Sequence, residues 1–346
     1  MPRLARPRRT SGTRAVCAFA AALVVGGCAT PPRPAVEPVV PIERGPVLAE
    51  YDELAIVIAA AGDSADTLAQ RYLGDARKGW WIAEANGDRG IRPGQVVVIP
   101  RKFGNRIGVH PDGYQTVPIL CYHRFGARSS KLTTTPAAFA AQMDYLARNG
   151  YHVLPLSHID DFLAGRVPLP KKSVIITIDD GYRSTFDVAF PILRKHGFPA
   201  TVFLYSDFVG AGDALNWAQM REMTASGLID IQPHSKTHAN LTLRFADETD
   251  ARYRERVRRE VDAPIVLIKD RLSIASVSFA YPYGDVNETI VDFLAQQGAQ
   301  LGLTVTPGGN GFFAYPYMLR RNMVFGNEDL DAFKAKLNVF ARTAGR

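Results

Sequence analysis

The sequence predicts an α/β fold built on a largely parallel sheet or barrel, preceded by a smaller βααβ unit. Three observations carry that expectation. Short apolar runs at residues 117–121, 174–178, 200–204, 229–231, 277–281 and 301–305 read as buried strands. Stretches of helical periodicity separate them at 136–149, 186–196 and 218–225. Two polar motifs then stand at strand ends, where α/β proteins bring side chains from different elements together.

Taken in chain order, the first element is an export signal. Arg3, Arg6, Arg8, Arg9 and Arg14 precede an apolar stretch over 15–25 that is short for a bilayer span. Gly26-Gly27-Cys28 closes it and resembles the bacterial lipoprotein signal, with residues 1–27 removed and Cys28 acylated. The resemblance implies a membrane attachment through a lipid at Cys28, in the cell envelope, on the outer membrane facing the periplasm. Those five arginines supply most of the formal net charge of +7, so the basic balance belongs to the signal and gives no reason to expect a nucleic-acid partner. Of the three cysteines, Cys17 and Cys28 fall in this segment, which leaves Cys121 without an internal disulfide partner.

Residues 28–53 are proline-rich (Pro31, Pro32, Pro34, Pro38, Pro41, Pro46) and are expected to form an extended linker. Residues 54–100 read as a compact unit: a strand at 54–60, a helix capped by Asp63 or Ser64, a second helix at 76–85, and a closing strand at 94–100. This unit resembles the LysM module, with Gly62-Asp63-Ser64, Asn86-Gly87 and Pro93-Gly94-Gln95 carrying the likeness. That implies binding to polymers of N-acetylglucosamine, with Trp80 and Trp81 as candidate stacking platforms, although a domain this small needs aromatic rings for its own core. Residues 101–116 read as a second linker and 117–346 as the main domain. The charge-dense stretch 252–260 reads as a solvated helix face.

The chemistry is concentrated in Thr177-Ile178-Asp179-Asp180-Gly181-Tyr182-Arg183 and His234-Ser235-Lys236-Thr237-His238. Adjacent carboxylates at the end of a buried strand are costly unless paired or bound to a cation. A metal site uses such a pair well, one Asp binding the ion while its neighbour handles protons. Histidines four residues apart face one way on a helical turn, and Asp plus two His leaves coordination positions open, the catalytic pattern. Asp-Asp-Gly alone is a common turn and His-x-x-x-His alone is ordinary; their combination at successive strand ends is not.

Together with Ile119-Leu120-Cys121-Tyr122-His123, Leu193 to Leu204, and Phe279-Ala280-Tyr281-Pro282-Tyr283-Gly284, these motifs resemble the polysaccharide deacetylase family, the NodB-homology domain of carbohydrate esterase family 4. The likeness covers about residues 117–324 and implies a distorted, incomplete (β/α) barrel. It implies that Asp180, His234 and His238 hold one divalent ion (Zn2+, with Co2+ or Ni2+ as alternatives), that Asp179 is the general base, and that the Tyr283 backbone N–H contributes to an oxyanion pocket. Ser235 falls where the family has a hydroxyl that orients the loop.

Two positions depart from the common pattern. The arginine that pairs with the catalytic aspartate is replaced by Ala280; Arg320 or Arg321 could substitute, with Arg183 a weaker choice. The late Leu-x-His is absent, but His123 ends the first strand, as in the biofilm-polysaccharide deacetylases, and is the candidate general acid. The expected activity is removal of N-acetyl groups from an N-acetylglucosamine-containing polymer, exopolysaccharide or peptidoglycan. O-deacetylation of an acetylated glycan and a non-catalytic glycan-binding lipoprotein are the alternatives.

Overall fold

The computed structural model describes residues 44–343. The export signal, Cys28 and most of the proline-rich linker lie outside the described residues. The first described strand, Val47–Glu50, falls inside the segment expected to be linker: it pairs antiparallel with Leu54–Ile58, which pairs in turn with Val96–Pro100. Alternation along these strands buries Ala55, Val57, Val97 and Ile99 against Leu68, Ala69 and Ile82 from helices Ala65–Leu73 and Gly79–Ala85. Ser64, not Asp63, caps the first helix in a reciprocal capping box with Thr67. Asp63 instead pairs with Arg71 at 2.8 Å.

The 101–116 segment is also more ordered than its glycines suggest. Val109–His110 and Gly113–Gln115 form a small sheet with the chain's last strand, Phe340–Arg342. The pairing with the last strand joins residues more than two hundred positions apart, which local composition does not encode.

In the main domain, four parallel strands lie side by side in the order Ile229–Pro233, Ala200–Leu204, Ser173–Asp180, Val117–Tyr122. Asn322–Met323 adds a further parallel rung to the C-terminal half of Val117–Tyr122, and Gly309–Asn310 an antiparallel one to its start. Ser278–Ala280 and Leu301–Leu303 form a separate parallel pair. Where the sheet breaks, the Gln232 side chain fills in: its Oε1 accepts from the N–H of Val277 and of Ser278, both at 3.0 Å. This is the incomplete barrel expected. Helices Pro136–Arg148, Phe190–His196, Trp217–Ala225, Asp250–Leu272 and Glu288–Gln296 pack outside.

Every residue of Ser173–Asp180 is buried. Ile176 and Ile178 face the helices with Leu120, Val202 and Ile231. Ile175 joins the inner cluster with Ile119, Phe203 and Leu303. By the two-residue period, Thr177 and Asp179 follow Ile175 toward the inside. Val174, Ile176 and Ile178 thus make one face apolar, while the other ends in Thr177 and Asp179 at the C-terminal side.

Candidate active site

Asp179 is held by two side chains through three hydrogen bonds. Arg321 Nη1 donates to its Oδ1 at 2.7 Å and Nη2 to its Oδ2 at 2.8 Å, a fork-to-fork pair with both side chains buried. Cys121 Sγ donates to Oδ2 at 3.4 Å. Arg321 is itself fixed, Nε donating to the Thr304 carbonyl at 2.9 Å and Nη1 to Thr177 Oγ1 at 3.2 Å. Burial alone would raise the Asp179 carboxyl, but the charge and hydrogen bonds of Arg321 hold it well below the usual range. It is ionised at neutral pH and able to accept a proton. Of the arginines proposed to replace the one missing at Ala280, Arg321 does so. Arg320 donates to the Pro307 carbonyl and Arg183 pairs with Asp187.

Asp180 is the opposite case. Its φ of 73° turns it off the line of the strand, and its buried Oδ1 has no hydrogen-bond partner. That oxygen lies 3.7 Å from His234 Nε2 and 3.4 Å from His238 Nε2. His234 has its other ring nitrogen, Nδ1, 2.7 Å from the Ala280 carbonyl, which fixes Nε2 as the lone-pair nitrogen facing the centre. Burial pushes His234 down to about 4 and His238 below its ordinary value, so both rings are neutral, as ligands must be. Burial, reinforced by the charge of Asp179, pushes Asp180 up to about 6. A bound cation reverses that cost. Donors around a tetrahedral ion with bonds of roughly 2.0–2.1 Å sit about 3.3 Å apart, close to the spacing here. The orphaned oxygen, the neutral imidazoles and the spacing fit a divalent ion held by Asp180, His234 and His238, as the sequence implied.

The histidines are not on a helical turn, however. Residues 234–240 form a loop, with Ser235 and His238 at φ 70° and 62°. Ser235 Oγ accepts from the His238 N–H at 2.9 Å, the orienting role expected of it. Glu260, read from sequence as part of a solvated face, is buried: its carboxylate accepts from Lys236 N (3.1 Å), Thr237 N (2.9 Å) and Thr237 Oγ1 (2.9 Å). The helix Asp250–Leu272 presents Tyr253, Val257, Glu260, Val261 and Ile268 inward at helical spacing. An acid in step with that apolar stripe was the signal available; charge density hid it.

Tyr283 has φ 62° and ψ 0°, and its ring centre stands 4.9 Å from that of His238. Four of the seven described non-glycine residues with positive φ (Asp180, Ser235, His238 and Tyr283) are thus at this one site, where the surrounding structure must hold them against steric cost. His123 lies at the site: one of its ring nitrogens, Cys121 Sγ and an Asp179 oxygen are within 4.8 Å of one another. That trio is not a second metal centre, because Arg321 occupies both Asp179 oxygens and burial pushes the Cys121 thiol well up, keeping it protonated. His123, Asp179, Asp180, His234, His238 and Tyr283 all line one cavity of about 580 Å³.

Trp80 and Trp81 are elsewhere. Both are half-buried, with ring centres 6.0 Å apart and 5.1 and 5.5 Å from Phe103. These contacts pack the two rings against Phe103 and leave each partly exposed.

Residues 166–302 match the model of the family described as polysaccharide deacetylase. Over 219 residues the chain is 29% identical to the Bacillus subtilis protein YxkH, covering 63% of this chain and 75% of that one. It is 28% identical over 211 residues to the poly-β-1,6-N-acetyl-D-glucosamine N-deacetylase of Escherichia coli, covering 51% of this chain but only 31% of the relative. Among solved structures, that of IcaB from Ammonifex degensii superposes with a TM-score of 0.58 at 29% identity, over 65% of this chain and 97% of the other. The matched region is a polysaccharide deacetylase domain of the esterase family 4 type.

Proposed function

We propose that this polysaccharide deacetylase domain removes N-acetyl groups from an N-acetylglucosamine-containing polymer of the bacterial cell envelope, with Zn2+ as its ion. The observation that carries this reading is the contrast between two neighbours: Asp179 with its carboxylate saturated by Arg321, and Asp180 with a buried oxygen left free beside two neutral histidines. A divalent ion there would lower the pKa of a bound water and polarise the amide carbonyl. Asp179 is placed to take the proton from that water. The backbone of Tyr283 borders the position of the developing oxyanion. His123, at the end of the first strand, gives its proton to the departing amine. The names of the relatives favour a β-1,6-linked exopolysaccharide over peptidoglycan.

The arginine-rich leader and Gly26-Gly27-Cys28 support attachment through a lipid on Cys28, on the outer membrane facing the periplasm. The 54–100 unit, by its likeness to LysM, would keep the domain on its glycan.

The test is acetate release by the zinc-loaded full chain from acetylated β-1,6-glucosamine oligomers, chitin oligomers and acetylated xylan. Acetate from the amide substrates, lost on chelation and restored by Zn2+, is the expected result. Acetate from xylan alone would make the protein an O-acetyl esterase, and none from any substrate would leave a glycan-binding protein.

A further inference from the structure

The turn at residues 130–133 has no part in the chemistry above, yet it is built into the cavity. Ser130 and Thr133 exchange backbone hydrogen bonds of 3.0 and 3.3 Å, which leaves Lys131 and Leu132 exposed at the tip. Both tip residues line the catalytic cavity. The turn is braced from behind by Phe325 and Gly326. A Cβ at Gly326 would sit 1.7 Å from the Thr133 carbonyl oxygen and 2.7 Å from that of Ser130, so the two segments pack without a gap. Lys131 Nζ stands 5.5 Å from the centre of the Phe325 ring, an aromatic face that favours a cation there.

The other charged side chains lining this cavity are paired or belong to the metal site. Lys336 pairs with Glu328 at 2.9 Å, Asp179 with Arg321 at 2.7 Å, and Asp180 faces the metal position. Lys131 has no carboxylate partner among the described residues, so the mouth carries an uncompensated positive charge.

That charge bears on a polymer whose own charge changes as it is processed. Hydrolysis breaks the amide C–N bond and forms a C–O bond to water's oxygen, giving acetic acid and an amine. The acid passes its proton to the amine, so a neutral substituent leaves as acetate and an ammonium stays on the chain. We propose, resting on the N-deacetylase reading, that Lys131 makes the mouth select neutral, still-acetylated glycan and reject a sugar beside an amine already made. The enzyme then spaces its products along the polymer and stops well short of full deacetylation. Two like charges several ångströms apart in an exposed mouth, where the dielectric is close to that of water, disfavour binding by about three- to tenfold.

The experiment compares kcat/KM for acetate release by the zinc-loaded full chain on two β-1,6-linked pentasaccharides. One is fully N-acetylated; the other carries a single glucosamine beside the central residue. The wild-type protein is expected to prefer the first by about three- to tenfold at low salt and by less at high salt. Lys131→Gln should remove the preference and Lys131→Glu invert it, with metal content checked in each. Equal kcat/KM values in the wild type, or a preference that survives Lys131→Glu, would overturn the proposal. Absence of acetate from the fully acetylated oligomer would instead overturn the deacetylase reading beneath it.

Discussion

The carboxylate half and the histidine half of the site are held in place by different means. Asp179 and Asp180 end an eight-residue strand that is buried throughout and hydrogen-bonded to parallel strands on both sides. His234 and His238 sit in a loop with two residues in the left-handed region, tied down by one carboxylate from a distant helix. The strand half is rigid because the sheet is rigid, and its chemistry is set by what reaches the carboxylates. The loop half depends on hydrogen bonds made outside a strand ladder, those to Glu260 prominent among them. Damage to Asp179 on the strand half should therefore impair turnover with the metal in place, whereas damage to the loop half should release the metal.

The largest expected effect is on the loop side. The His234→Ala, His238→Ala double variant removes two of three ligands and should lose bound zinc and activity together, read by metal analysis beside acetate release. Stoichiometric metal in that variant would remove the pair from the centre. On the strand side, Asp179→Asn keeps the shape but cannot accept a proton. Metal should be retained and kcat should fall by at least ~10²-fold; near-normal turnover would make Asp179 structural.

How much of this was legible in the sequence follows the same division. A run of β-branched residues ending in two acids announces both a strand and a functional end, because nothing in local packing favours adjacent buried carboxylates. The loop was misread as a helical turn, since the spacing of His234 and His238 suits one and the left-handed φ of Ser235 leaves no mark in composition. Arg321 could be named only beside Arg320, with Arg183 a weaker third, because neighbouring residues in an extended segment face opposite ways and the register that chooses between them is tertiary. Glu260 was missed outright amid the charges around it. Cys121 was read only as a cysteine without a disulfide partner, and its hydrogen bond to Asp179 depends on a strand pairing the sequence does not state.

Glu260→Gln sharpens the comparison further. The amide can still accept hydrogen bonds from Lys236 and Thr237 but without charge, so the loop should loosen and zinc affinity weaken by about 10–100-fold. Turnover at saturating zinc should stay near normal. Loss of turnover with unchanged zinc affinity would mean that the loop does not hold the metal half in the way described. The smallest effect is a difference between substrates. His123→Ala should slow amide hydrolysis while sparing an activated ester, whose leaving group needs little protonation, with metal content unchanged. Equal losses on both substrates would assign His123 to positioning alone.

The ion pair between Asp179 and Arg321 joins residues 142 positions apart, and this governs when the protein can come into being. During synthesis the central strand is complete long before the segment carrying Arg321 emerges. Until that segment docks, closing the sheet over Asp179 would bury a lone carboxylate, at a cost of several kcal/mol. Parallel strands already fold slowly because loop closure precedes the contacts that reward it. Here the centre of the sheet must also wait for the chain's end. Assembly is thereby tied to completion: a chain interrupted before Arg321 has every metal ligand and no means of sheltering its base.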